Sequence, residues 1–311
     1  MEWFVFLKIH DIIYYVANRS SPYEIIFLRR KNVMKDKMYL PREQRIMFNI
    51  LQLPIEEREQ MYEEHLLMKR IRQDDKYKAS ISRALLGAFV REEYELVDLY
   101  LSLGANPSLA GSRALIYAAE QGLFNYVVKL HNAGGDVKAS DSAALIFAAR
   151  NGHSDIVFYL ASKGADVQAN NNEPLIIAAE HGHADTVKWL LWLGADVKAR
   201  DSQALIILSK QGMNDVIKYA LNYGADPKTQ NSECMVQAIS YNHLDTAEIL
   251  YQAGAELTNE VLIEAIWRNN MKAFAWLREK GIDIHANNNR ALKLAKEWKR
   301  DGLVVALEST F

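Results

Sequence analysis

Residues 142–171, SAALIFAARNGHSDIVFYLASKGADVQANN, carry two short apolar stripes separated by a turn. Ala144, Leu145, Ala148 and Ala149 fall on one face of a helix, and their small size predicts close packing against neighbouring helices. Asn151-Gly152 ends that stripe. A second helix opens at His153 or Ser154 and buries Ile156, Val157, Leu160 and Ala161. Gly164 stands where a helix leaves through a left-handed residue, a conformation that glycine adopts without a Cβ clash. Asp166 to Asn171 then form a polar exit loop.

This pattern returns every thirty residues. The closing glycine recurs as Gly104, Gly134, Gly164, Gly194, Gly224 and Gly254, with Gly281 three residues early. The phrase that follows it reads GGDVKASD (134–141), GADVQANN (164–171), GADVKARD (194–201) and GADPKTQN (224–231), and more loosely GANPSLAG, GAELTNE and GIDIHANN. The first helix recurs as ALIYAAEQG (114–122), PLIIAAEHG (174–182), ALIILSKQG (204–212) and CMVQAISYN (234–242). A fixed period of this size predicts a solenoid whose units bury their apolar faces only against their neighbours.

These copies resemble the ankyrin-repeat family over about residues 81–288. The resemblance implies an all-α solenoid of about seven helix-turn-helix units over residues 79–288, with no enzymatic activity and a protein partner. The chain departs from the family in two respects. Its units are thirty residues long against about 33, so the family's protruding hairpin is expected to be blunt. Ile116, Ile146, Ile176 and Ile206 replace the histidine of the T-P-L-H-x-A core. Thirty-residue units of this kind resemble the large ankyrin families of giant DNA viruses of amoebae, which would place the protein in a host cytoplasm facing a host factor. One unit departs from its siblings: Leu208 and Ser209 replace the Ala-Ala pair of Ala118/Ala119, Ala148/Ala149 and Ala178/Ala179. A larger side chain in a close-packed slot predicts a local change in helix spacing.

The ends read differently. Residues 289–311 are one last helix pair whose Lys293, Lys296, Glu297, Lys299 and Arg300 suit solvent, as a capping unit requires. Residues 1–78 do not follow the repeat and are read as an N-terminal cap or a small α+β segment. WFVFLKI (3–9) and YEIIFLR (23–29) predict strands, and residues 42–51 and 55–72 predict helices. Within them LPREQRIMFNILQLP (40–54) resembles the opening of an F-box, which implies an alternative role as an adaptor that brings targets to a ubiquitin ligase; an amphipathic helix between two prolines accounts for the same residues.

Composition narrows the chemistry. A formal net charge of −2 offers no basic stripe for nucleic acid. The single cysteine, Cys234, allows no intrachain disulfide and fits a reducing, intracellular compartment. The apolar start WFVFLKIHDIIYYVA is broken by Lys8, His10 and Asp11, so neither a signal peptide nor a membrane span is expected. No phosphate loop, dinucleotide fingerprint, H-E-x-x-H or paired C-x-x-C occurs, so no catalytic residue, cofactor or metal is expected, and the protein is read as a cytoplasmic monomer. His153, His183 and His243 share a slot that Leu123 and Met213 fill elsewhere, which predicts packing or hydrogen bonding. Asp136, Asp166, Asp196, Asp226, Glu256 and Asp283 recur once per unit and are expected to cap backbone groups. Cys234, in a slot held by Ala114, Ala144, Pro174 and Ala204, is expected to be a small buried apolar group.

Two sets of residues are candidates for contact with a partner. Before the helix-turn glycine, successive copies read Glu120-Gln121, Arg150-Asn151, Glu180-His181, Lys210-Gln211 and Ser240-Tyr241. In the ankyrin family these positions line a concave groove, expected to be shallow here because the hairpins are short. Their alternating charge describes a mixed polar surface and not a phosphate track. The second set is apolar. Trp192 stands where siblings carry Asn132, Ser162, Asn222 and Gln252, and Phe158 takes a place filled elsewhere by Lys188 and Lys218. Both are expected on the outward side of second helices in adjacent units, and exposed aromatics of this kind mark contact sites.

Overall fold

A computed structural model describes residues 75–109 and 111–309. The strands and helices expected before residue 75, and the F-box-like stretch 40–54, lie outside the described residues. Sixteen helices and no strand occur among the described residues. They come in pairs: α1 (Asp75–Val90) with α2 (Tyr94–Ser102), α3 (Arg113–Glu120) with α4 (Phe124–Asn132), and α5 (Ala139–Arg150) with α6 (Ser154–Ser162). Then follow α7 (Ala169–Glu180) with α8 (Ala184–Trp192), α9 (Ala199–Gln211) with α10 (Asn214–Asn222), and α11 (Thr229–Ser240) with α12 (Leu244–Gln252). The series ends with α13 (Asn259–Trp267) and α14 (Met271–Glu279), then α15 (Ala286–Glu297) and α16 (Asp301–Glu308). Each odd-numbered helix packs on the next odd-numbered one and on its own partner, and even-numbered helices from α4 to α12 pack in a second row. The chain is an all-α repeat solenoid.

The core follows from the stripes. Leu115, Leu145, Leu175, Leu205, Met235 and Leu262 lie one above the next in the first row and are fully buried. The pairs Ala118/Ala119, Ala148/Ala149 and Ala178/Ala179 are equally closed to solvent, so neighbouring first helices meet across methyl groups. Val127, Val157, Val187, Ile217 and Ala247 do the same for the second row. Burial of each larger side chain contributes about 1.5–3 kcal/mol.

Two devices close each unit. Gly164 leaves α6 with φ +95°, its N–H donating to the Ala161 carbonyl at 2.9 Å while the Ala165 N–H donates to the Leu160 carbonyl at 3.0 Å. This satisfies the helix's last carbonyls, and the same pair of bonds recurs at Gly134, Gly194, Gly224 and Gly254. The second device was read only as a polar loop. Asn170, Asn171 and Asn172 have φ between 49° and 61°, a single turn of left-handed helix that occupies the place of the expected blunt hairpin. Ser140–Ser142, Arg200–Ser202, Gln230–Ser232 and Asn287–Asn289 adopt it too. Such a conformation costs about 1–2 kcal/mol per residue, least for Asn and Asp. The composition of these triplets, rich in Asn, Asp and Ser, follows from that cost.

In the units of α3, α5, α7 and α11 the last left-handed residue is buried and accepts a hydrogen bond from the backbone N–H 24 residues later. Ser112 Oγ receives the Asp136 N–H at 2.8 Å, Ser142 Oγ that of Asp166 at 2.9 Å, Asn172 Oδ1 that of Asp196 at 2.6 Å, and Ser232 Oγ that of Glu256 at 2.8 Å. The carboxylates of Asp136, Asp166, Asp196, Asp226 and Asp283 then each accept the N–H two residues on, at 2.9 Å. The aspartates therefore cap loop backbone as expected, but Glu256, expected to do the same, pairs its carboxylate with Lys228 at 3.8 Å instead. Between second helices, Lys129 pairs with Asp98 at 2.6 Å, Ser154 Oγ meets Thr186 Oγ1 at 2.8 Å, and Thr246 Oγ1 donates to Asn214 Oδ1 at 2.6 Å.

Two units depart from the pattern. In the unit of α9 and α10, Leu208 and Ser209 are fully buried and α9 runs one residue further than its siblings. The bond that closes its turn, Met213 N–H to the Leu208 carbonyl, is 3.2 Å long against 2.8–2.9 Å in the units of α3, α5, α7 and α11. Its Ser202–Asp226 bond is likewise stretched to 3.4 Å. The bulk of Leu208 is thus taken up by the turn and the exit. The 27-residue unit has lost the left-handed turn itself. Thr258, in an extended conformation, leads straight into α13. Asn259, in the position of Ser232, has an amide buried without a hydrogen-bond partner among the described residues.

The helix-turn glycines are held by two constraints. Gly152 has φ +75°, and an added Cβ would stand 2.5 Å from the His183 ring, whose Nε2 lies 2.8 Å from the Arg150 carbonyl. Gly182 has the same backbone, but Met213 fills the histidine slot and the nearest obstacle is 3.9 Å away. Gly182→Ala is expected to lower stability by about 1 kcal/mol and Gly152→Ala by about 2–4 kcal/mol, measured as shifts of the urea midpoint. At the exit turn, Asn172→Ala leaves the buried Asp196 N–H without a partner and is expected to cost about 1–3 kcal/mol. Asn172→Ser, which supplies the hydroxyl that sibling units use, is expected to recover most of that loss in the same titration.

Candidate protein-binding surfaces

The turn between the helices of each unit carries the first candidate surface. Glu120, Arg150, Glu180 and Ser240 are the last residues of α3, α5, α7 and α11, and Lys210 holds the equivalent place near the end of α9. Gln121, Asn151, His181, Gln211 and Tyr241 follow them and are exposed. Part of this row also stitches units together. Asn151 Nδ2 donates to the Glu120 carbonyl at 2.7 Å, and Gln211 Nε2 to the Glu180 carbonyl at 3.0 Å. His181 Nδ1 lies 2.9 Å from the carbonyl of Ile177 in its own helix. Glu180, Lys210 and Tyr241 are exposed and Glu120 half-buried, while the Arg150 guanidinium lies over the Phe147 ring at 5.2 Å with its Nε buried. Lys210 Nζ lies 5.3 Å and Arg268 Cζ 6.0 Å from the Tyr241 ring centre, distances at which a cation is drawn to an aromatic face.

The histidines of the shared slot act on the backbone. The Nε2 atoms of His153 and His183 lie 3.1 and 2.8 Å from the Glu120 and Arg150 carbonyls, which can only accept, so both rings donate through Nε2. Among the described residues no group of three or more His, Cys, Asp or Glu side chains is placed to hold a metal ion.

The second surface is a cluster of three rings. Phe158 on α6 and Trp189 and Trp192 on α8 are 40%, 41% and 57% exposed. The Phe158 ring centre is 5.1 Å from Trp189 and 6.2 Å from Trp192, and the two indoles meet edge to face at 5.6 Å. The two residues singled out in the sequence are therefore brought together, with Trp189 between them. Trp189 escaped notice because its column holds Tyr159 and Tyr219, so an aromatic there is no anomaly. Arg268 was missed because the short unit shifts the register: it stands in the slot of Tyr241, 27 residues on.

Further along the second row, Glu248 accepts from Lys280 Nζ at 3.0 Å and from Trp276 Nε1 at 2.8 Å. These bonds, that to Lys280 first, hold its carboxyl below the usual carboxylate range.

One core of near-identical units, with its differences confined to rows of surface side chains, defines a binding scaffold of the repeat-solenoid class. Three copies of the profile for ankyrin repeats match residues 85–171, 115–201 and 175–261, together residues 85–261 and more than half of the 311-residue chain. The chain belongs to the ankyrin-repeat family, whose members generally mediate protein–protein interaction and are typically non-enzymatic. No curated protein matches the chain. No helix among the described residues is long and apolar enough to cross a membrane.

Cys234 is 2% exposed, its Sγ lies 3.1 Å from the Pro227 carbonyl, and burial pushes its pKa up to about 12. The native thiol therefore stays protonated where an unfolded one ionises, near pH 8.5–9. The native state is expected to react with a disulfide reagent at about pH 8 only as fast as it unfolds. The sign of the linkage is that of a raised pKa: its contribution is intact below the unfolded value and is lost as pH rises toward 12. Cys234→Ala, the residue of three sibling units, is expected to flatten that alkaline loss in urea titrations.

Proposed function

We propose that this protein is a non-enzymatic scaffold that binds a protein partner through side chains that differ between its units. The turn row of Glu120, Arg150, Glu180, Lys210 and Tyr241 forms one contact surface, and the second-helix face at Phe158 and Trp192 the other. The observation that carries the reading is the ring cluster. Three aromatic side chains are left 40–57% exposed, and Trp192 lies where four sibling units place Asn, Ser or Gln. Monomers rarely leave such a patch without use, and Trp and Tyr dominate the residues on which binding energy concentrates. The scaffold contributes stiffness: with first helices meeting across alanines and each unit closed by its own hydrogen bonds, surface side chains are held in place before a partner arrives, which lowers the entropy cost of association.

In the double variant Phe158→Lys, Trp192→Asn, each residue becomes one that a sibling unit already carries at that place. The melting temperature is expected to move by no more than a few degrees. Partner capture by the full chain, identified by mass spectrometry, is expected to be lost. A fall of several kcal/mol in stability, with capture by the folded fraction unchanged, would assign the rings to packing.

A further inference from the structure

The turn row is electrically polarised along the stack. At its two positions per unit it carries Glu120 and Glu180 against Arg91 and Arg150 up to α7, and Lys210 and Arg268 against Glu297 from α9 onward; just past the turn, Glu92 and Glu93 follow in the first unit and Lys299 and Arg300 in the last. The cationic half is also the aromatic half. Tyr241 is 47% exposed with Lys210 and Arg268 both within 6.0 Å of its ring centre. Trp267 is 50% exposed and meets Trp298 edge to face at 4.9 Å. Arg268 is aimed by two bonds, Nε to Glu264 at 2.8 Å and a guanidinium nitrogen to Ser240 Oγ at 2.6 Å, and Arg300 is anchored on the Trp267 carbonyl at 2.8 Å. Arg268 thereby shares its charge with Glu264, and it and Arg300 would each meet an anion through their remaining N–H groups, held in place beforehand.

Beside Tyr241 the row opens into a cleft of about 270 Å³ that includes Asn242, His243, Thr246 and Lys272, with Asp245 its single acid. The cleft lies where the unit of α9 and α10 meets that of α11 and α12, lined on one side by Gly212 and Asn214. There the His243 ring lies over Gly212 as its siblings lie over Gly122 and Gly152. Unlike theirs, its ring nitrogens have no hydrogen-bond partner among the described residues. A donor that elsewhere serves the backbone is left over at the mouth of a polar cleft, next to Lys272 and the Thr246 hydroxyl.

We infer that the turn row from α9 to α15 docks an acidic peptide segment of the partner, carboxylates on Lys210 and Arg268, with one side chain entering the cleft toward Lys272. The inference rests on the proposal that the turn row is a contact surface and adds the chemistry of what meets it. Charge complementarity selects the occupant. The exposed rings favour an acidic segment with apolar or aromatic side chains between its carboxylates, because a purely charged strand leaves Tyr241 and Trp267 uncovered.

The test is selection of a random peptide display library on the full chain, with affinities of the enriched peptides measured by fluorescence anisotropy. Enriched sequences are expected to be rich in Asp and Glu. Their binding is expected to fall by about tenfold or more in Lys210→Glu, Arg268→Glu and in Tyr241→Ala, each shown by circular dichroism to be folded. It is expected to be unchanged in Lys163→Glu, Lys218→Glu, whose charges lie just past the end of α6 and on α10. Neutral or basic enriched sequences, no enrichment above background, or equal binding by the charge-reversed row would each overturn the inference. A partner still captured through Phe158 and Trp192 in that event would show that the scaffold reading had survived it.

Discussion

Most units share one hydrogen bond: a buried Ser or Asn side chain accepts the backbone N–H of the residue two positions after the closing glycine. The bond reaches across 24 residues and ties the start of the first helix to the exit of the second. In four units the acceptor sits at the end of a left-handed stretch, whereas in the first unit Ser82 offers its hydroxyl to the Asn106 N–H at 2.7 Å from within the regular helix α1. The left-handed turn needs residues that tolerate positive φ. A local conformational cost of about 1–2 kcal/mol per residue is therefore accepted wherever the turn occurs, offset in four units by satisfying a part-buried backbone group. Where the residue after the glycine pair is aspartate, its carboxylate completes the arrangement by capping the N–H two residues on.

The period, the apolar stripes and the glycine exits were legible in the sequence, because each is a repeated choice with one physical cause. Six closing glycines at equal spacing leave little freedom for the backbone between them. The left-handed turn was not legible as such: Ser-Asp-Ser and three asparagines announce a polar loop, but no composition rule distinguishes a run of three residues at φ near +55° from an irregular connection. The histidine slot was half readable. That Leu and Met also occupy it argued against a metal, yet its bond to the preceding unit's carbonyl required coordinates. Phe158 and Trp192 were found because they broke a column of polar residues; Trp189 was hidden in a column already aromatic, and Arg268 behind a three-residue gap.

Function in such a stack divides by symmetry. Positions that repeat serve the core and the turns; positions that do not repeat are free to serve a partner. The division is incomplete here, since Asn151 and Gln211 vary between units and still bridge to the carbonyl of the unit before them. Surface variability alone therefore overstates the area open to a partner. Exposure of ring and charge, as at Trp192 and Tyr241, is the stricter guide.

The unit that lost its left-handed turn has a mechanical consequence. A linear array transmits order from one member to the next only through their shared face and their own closure, and at Asn259 the closure is absent. Upstream of that point α11 and α12 are clasped by the Ser232–Glu256 bond; α13 and α14 lack its counterpart among the described residues and are tied instead to the preceding unit, Arg268 to Ser240, Asn270 to Asn242, and Trp276 and Lys280 to Glu248. That unit therefore keeps its place through polar bridges to its predecessor, where its siblings close on themselves.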